Sequence, residues 1–143
     1  MMLSKRKLQE KDYSTALEIW ERSVKATHDF LKEKDRFELK TEIPNYLKLV
    51  EAYLWLDGEE VIGFSGTNEQ NLEMLFIDPK YFKRGYGTEI VRHLIQENKI
   101  QYVDVNKDNA QALKFYLKNG FTIHSESQKD GQGRDYPILH LKL

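Results

Sequence analysis

The spacing of hydrophobic positions changes several times along the chain, and each change marks an element. The opening residues suit a short strand. Ala16, Leu17, Trp20 and Val24 then recur at helical spacing, which predicts a helix capped by Asp12 and running to about His28. Phe37, Leu39, Ile43, Tyr46, Leu47 and Val50 predict a second helix over residues 34–49, with Pro44 kinking it or breaking it in two. Two apolar runs, Ala52 to Leu56 and Val61 to Phe64, flank the turn Asp57-Gly58-Glu59 and signal a β-hairpin. Residues 71–77 read as a further strand. Ile90, Val91, Leu94 and Ile95 give a helix from Gly87 to about Asn98. A strand over residues 101–105 follows, then a helix from about Asn109 to Lys118 that stops at Asn119-Gly120. Residues 121–127 and 136–143 read as two last strands joined by a polar loop. The order is strand, two helices, three strands, helix, strand, helix, two strands. That mixture predicts one α/β (α+β) domain over residues 1–143, a mixed sheet with helices on its faces.

Composition narrows the chemistry. A chain of 143 residues can bury a core without staples. Its net charge of −1 gives no basic field for nucleic acid. The absence of cysteine removes disulfides, thiolate ligands and a cysteine nucleophile. His93, His124 and His140 lack ligand-like spacing, so no metal is expected. No stretch resembles a signal peptide or a membrane span, so a cytoplasmic protein without membrane contact is the expectation.

The densest chemical signal lies between Leu75 and Glu89. Leu75, Phe76 and Ile77 close a strand, Asp78-Pro79 turns the chain, and Lys83-Arg84-Gly85-Tyr86-Gly87-Thr88 leads into a helix. The first turn of a helix presents backbone N–H groups without partners, and the helix dipole adds positive character there. With Lys83 and Arg84 beside it and two glycines permitting close approach, the segment is a candidate phosphate or pyrophosphate site. A plain strand-to-helix turn remains the alternative. The P-loop pattern is absent, and Ile90 occupies the third glycine position of a dinucleotide fingerprint.

A second motif gives this loop its context. Asn109, Ala112, Tyr116, Lys118, Gly120 and Phe121 match Asn-x-x-Ala-x-x-x-Tyr-x-Lys-x-Gly-Phe. Together with Pro79, Gly85 and Gly87, the chain resembles the GNAT superfamily of acyl-CoA-dependent N-acetyltransferases along essentially its whole length. Residues 22–31 are similar to the first helix of a subgroup of small bacterial members. The resemblance implies a mixed, mostly antiparallel sheet of about seven strands. It also implies acetyl-CoA as cosubstrate and attack by a primary amine on its thioester. One position departs: the Arg or Gln that opens the family's loop is Phe82 here.

The same resemblance assigns roles. Backbone groups of Leu75, Phe76 and Ile77 would hold the pantetheine arm and the carbonyl oxygen. Lys83 to Thr88 would hold the pyrophosphate. Asn109 would touch the cofactor and cap its helix, and Tyr116 would protonate the leaving thiolate, with a core tyrosine as the rival reading. Glu73 shares the strand face of Leu75 and is the first candidate to take the amine proton, His28 the second. Trp20, His28, Asp29, Phe30 and Tyr136 would face the acceptor. That acceptor is a small-molecule amine or a protein or peptide amine, for a monomer or homodimer. A non-catalytic CoA-binding sensor or interaction domain is the alternative function.

Overall fold

The computed structural model describes residues 2–143. Its elements follow the predicted order: β1 (Leu3–Lys7), α1 (Tyr13–Thr27), α2 (Glu33–Leu49), β2 (Glu51–Asp57), β3 (Glu60–Asn68), β4 (Asn71–Ile77), α3 (Tyr86–Asn98), β5 (Tyr102–Asn106), α4 (Ala110–Lys118), β6 (Thr122–Ser127) and β7 (Ile138–Lys142). The seven strands form one sheet in the order β1-β2-β3-β4-β5-β7-β6. Every neighbouring pair is antiparallel except β4 and β5.

Two hydrophobic layers hold the helices to opposite faces. Ala16, Ile19, Trp20 and Val24 of α1 and Ile43 and Leu47 of α2 pack on Ala52, Leu54, Phe64 and Met74. Ile90, Val91 and Leu94 of α3 and Tyr116 of α4 pack on Trp55, Leu72, Val103, Val105 and Leu141. Full burial of one such aliphatic or aromatic side chain contributes about 1.5–3 kcal/mol. Among the described residues no helix is long and apolar enough to cross a membrane.

Three local expectations need correction. Asp12 stands at the N-cap position of α1, yet its carboxylate turns backwards. It accepts from Arg6 Nη1 and Nη2 at 2.8 and 3.0 Å and from Gln9 N at 2.9 Å. The two-pronged charged pair with Arg6 takes the place of the cap bond, and it holds the Asp12 carboxyl below its ordinary pKa. Pro44 does not break its helix, because α2 runs through it. The proline offers no N–H to the preceding turn, but Ile43 and Leu47 on either side are buried and pin the helix across the gap.

The third correction concerns β4. Gly66 pairs with Met74 and Thr67 with Leu72, so Glu73 is an extra residue, a β-bulge. The bulge changes which face the strand presents. Leu72 packs with α3 and α4, whereas Met74, two residues on, packs with α1 and α2. Simple alternation along residues 71–77 therefore does not hold, and Glu73 sits where the faces exchange.

Candidate active site

β4 and β5 run parallel and pair only through Asn71 with Tyr102 and Leu72 with Val103. Beyond that point the strands part. The β5-facing edge of β4 from Met74 to Ile77 has no strand partner, and a cleft opens there. Its cavity of about 850 Å³ is lined by Leu75, Phe76 and Ile77 on one wall and by Asn109, Ala112 and Tyr116 on the other. A backbone edge without a partner strand offers amide and carbonyl groups to whatever enters.

The mouth of the cleft is built by the turn before α3. Asp78 is buried, accepts from Lys80 N at 3.4 Å and pairs with Arg22 Nη2 of α1 at 2.7 Å. Lys83 and Gly85 both have left-handed backbones, φ 62° and 86°, on either side of Arg84. Alternation of this kind gathers successive N–H groups around one concavity at the start of a helix. Lys83, Gly85, Tyr86, Gly87 and Thr88 line the cavity, as does Phe82. The Tyr86 side chain is buried and donates to Asp57 Oδ2 at 2.5 Å, so its hydroxyl is already partnered. Gly87 has a second reason to be glycine: a Cβ there would stand 3.1 Å from the Phe115 ring of α4.

At the inner end the cleft meets a second cavity, of about 530 Å³, between α1, α2 and the loop before β7. His28, Glu73, Met74, Phe76 and Asn106 line both spaces. Burial and the neighbouring Asp104 push the Glu73 carboxyl above its ordinary pKa, towards a poised proton acceptor. Burial lowers His28 to about 4, with Asp29 opposing weakly. Tyr116 is buried and its phenol is pushed upward, so it keeps its proton at neutral pH.

Asp130 and Tyr136, from the loop over residues 128–137, line the second cavity. Arg134 reaches Glu38 at 3.1 Å, Asp130 at 3.5 Å, Glu42 at 3.6 Å and Asp35 at 3.8 Å. Tyr136 donates to Asp35 and accepts from Lys32 N at 3.2 Å. Trp20 and Tyr136 line this cavity, whereas Asp29 is exposed and neither Asp29 nor Phe30 lines it.

The sequence model of the Acetyltransferase (GNAT) family matches residues 12–121. The chain belongs to that family. It is 36% identical over 144 aligned residues to the peptidyl-lysine N-acetyltransferase YjaB of Salmonella typhimurium, covering 99% of this chain and 98% of that protein. The solution structure of apo YjaB from Escherichia coli superposes with a TM-score of 0.91 at 33% identity, covering 99% of this chain and 97% of that one. The PaiA N-acetyltransferase of Thermoplasma acidophilum, solved with coenzyme A, shares the fold at a TM-score of 0.70 and 21% identity over the full length of both chains. The GNAT fold, a seven-stranded mixed sheet, and acetyltransferase activity are therefore properties of this chain.

The cleft has the features a CoA thioester needs: a partnerless strand edge, a nest of N–H groups and basic side chains. The lining cations, Lys83, Lys114 and Lys118, come from the turn and from α4. Lys83 is expected at this site from the sequence, and Lys114 is not. Their i, i+4 spacing on one helix face was the available signal for pairing Lys114 with Lys118. Thr27 and Asn106 line the cleft as well, and nothing local in the sequence ties them to it. Among the described residues no group of side chains could hold a metal ion.

Proposed function

We propose that this GNAT enzyme acetylates the side-chain amine of a protein lysine, with Tyr116 as general acid and Glu73 as general base. The observation that carries the reading is the parting of β4 from β5, which puts Tyr116 and Glu73 on one continuous space fed from two sides. Bound in the cleft, acetyl-CoA supplies an acetyl group activated as a thioester. The residues that would hold it are the backbone of Leu75, Phe76 and Ile77 along the arm and the Lys83 to Thr88 turn at the pyrophosphate. Lys83, Lys114 and Lys118 supply the positive charge that Phe82 does not.

Each remaining demand of the reaction has a residue suited to it. Only a neutral amine carries a lone pair, and the upward-shifted carboxylate of Glu73 is matched to drawing off its proton. An N–H of the free β4 edge can stabilise negative charge growing on the carbonyl oxygen. Tyr116 can pass its proton to the departing sulfur. The burial that raises its pKa acts on a thiolate in the same place, so donor and acceptor stay matched. The second cavity, of about 530 Å³, has room for a lysine side chain, and the named activity of the full-length relatives is on peptidyl-lysine.

The test is thiol release from acetyl-CoA with three acceptors: a lysine peptide, the same peptide with that lysine blocked and its N-terminus free, and a small polyamine. Turnover with the first alone, and acetyl-lysine by mass spectrometry, is expected. Preference for the N-terminus or the polyamine would overturn the acceptor assignment. CoA binding without turnover on any amine would favour a CoA-binding interaction domain.

A further inference from the structure

His28 sits in a hydrogen-bond chain that fixes where its proton is. Asn109 caps α4 through Oδ1, which accepts from Ala112 N at 3.1 Å. Its amide nitrogen is thereby aimed away from the helix and lies 3.2 Å from His28 Nε2. An amide NH2 can only donate, so Nε2 accepts and carries no hydrogen. Nδ1 then bears the ring proton and donates to Thr27 Oγ1 at 2.6 Å. The Thr27 hydroxyl in turn donates to the Ser23 carbonyl at 2.8 Å. Every donor and acceptor from α4 to α1 is assigned in one direction. The ring also packs against Phe30, with centroids 5.2 Å apart.

This arrangement leaves the ring no free lone pair for an amine proton. Nε2 is occupied by Asn109 and Nδ1 is already protonated. Burial opposes a second proton, in keeping with the low pKa. What the ring does instead is join two elements far apart in sequence: the end of α1, which borders both cavities, and the cap of α4.

We infer that His28 is a positioning residue, whose neutral Nδ1–H imidazole ties α1 to the α4 cap and sets the throat between the acceptor cavity and the cofactor cleft. Tyr116 lies two turns beyond Asn109 on α4, so a shift of the cap moves the phenol with it. The catalytic consequence rests on the reading of Tyr116 as the acid, whereas the tautomer and the tether do not.

Two measurements decide it. Nitrogen-15 NMR of the unliganded protein is expected to show His28 as the Nδ1–H tautomer, still neutral at about pH 5.5, below the ordinary histidine range. An Nε2–H ring, or one charged at that pH, would overturn the inference. The second is a mutant cycle. His28→Ala removes the acceptor, His28→Gln supplies a carbonyl in its place, and Asn109→Ser keeps a capping oxygen but has no NH2 to give. Misplacement of reacting groups by about 1 Å lowers turnover on the order of 10²-fold, so His28→Ala is expected to lose about ten- to a hundred-fold in kcat. His28→Gln should recover most of it. The double variant should be no worse than the worse single one, and the shape of the pH–rate profile should not change. Additive losses, or disappearance of the acidic limb in His28→Ala, would contradict the tether. Should no acceptor turn over, the NMR result and the same cycle read as melting temperatures still decide the question apart from the acceptor assignment.

Discussion

On the α3 side of the cleft, the candidate binding surface is backbone: the free edge of β4 and the turn from Lys83 to Thr88, shaped by two left-handed residues. On the α1–α2 side it is side chains brought from distant parts of the chain. His28, Asp130 and Tyr136 line the second cavity, where His28 meets Asn109 and Tyr136 reaches Asp35, while Arg134, outside that lining, holds Asp130 together with Asp35, Glu38 and Glu42. A backbone site tolerates change in its side chains and depends on a few residues that set φ. A side-chain site depends on the identity of each partner. The first suits a cofactor shared across a family, and the second an acceptor that differs between members.

Substitutions on the two sides should fail in different ways, and Glu73 at their junction should fail most. A general base is worth about 10²–10⁴-fold, so Glu73→Gln should lower kcat/KM by at least the lower figure near neutral pH while leaving CoA affinity intact. Its raised pKa fixes the sign. Wild-type activity should climb as the carboxyl deprotonates with rising pH. The gap between wild type and variant should then narrow as the pH nears the ordinary lysine value of about 10.4, where the amine is neutral without help. A constant gap across the profile would take the proton-transfer role from Glu73.

On the cofactor side the expected effect is smaller and falls on binding. Gly85 has φ 86°, where a side chain costs about 1–2 kcal/mol and blocks approach of an anion to the backbone. Gly85→Val should therefore weaken CoA binding by about ten-fold or more in calorimetry, since ten-fold corresponds to about 1.4 kcal/mol. Unchanged affinity would remove the turn from the site.

The same division explains what could be read in advance. Asp57-Gly58 announced the hairpin, and Gly58 takes the left-handed conformation that such a turn uses. Asn109 announced the cap of α4 and accepts from Ala112 N. These are local signals, carried by residues within a few positions of one another. The β4 bulge was not legible, because it is a property of pairing with β3 and the sequence of 71–77 alternates well enough without it. Nor was the back-turned Asp12, whose partner Arg6 lies on another element. Pro44 leaves a kink and a break equally open, because its penalty is local, while the burial of Ile43 and Leu47 that keeps the helix continuous is not. The Arg134 cluster joins residues roughly a hundred positions apart, beyond the reach of any spacing rule.

In the proposed mechanism Tyr116 gives its proton to the departing thiolate from a cleft that binds the cofactor without it. Tyr116→Phe removes the hydroxyl and little of the packing against Phe115 and Phe121. Turnover and CoA affinity should be measured on the same preparation. A fall in kcat of about 10²-fold or more is expected, with the dissociation constant unchanged. Undiminished kcat would make Tyr116 a core residue and contradict the mechanism.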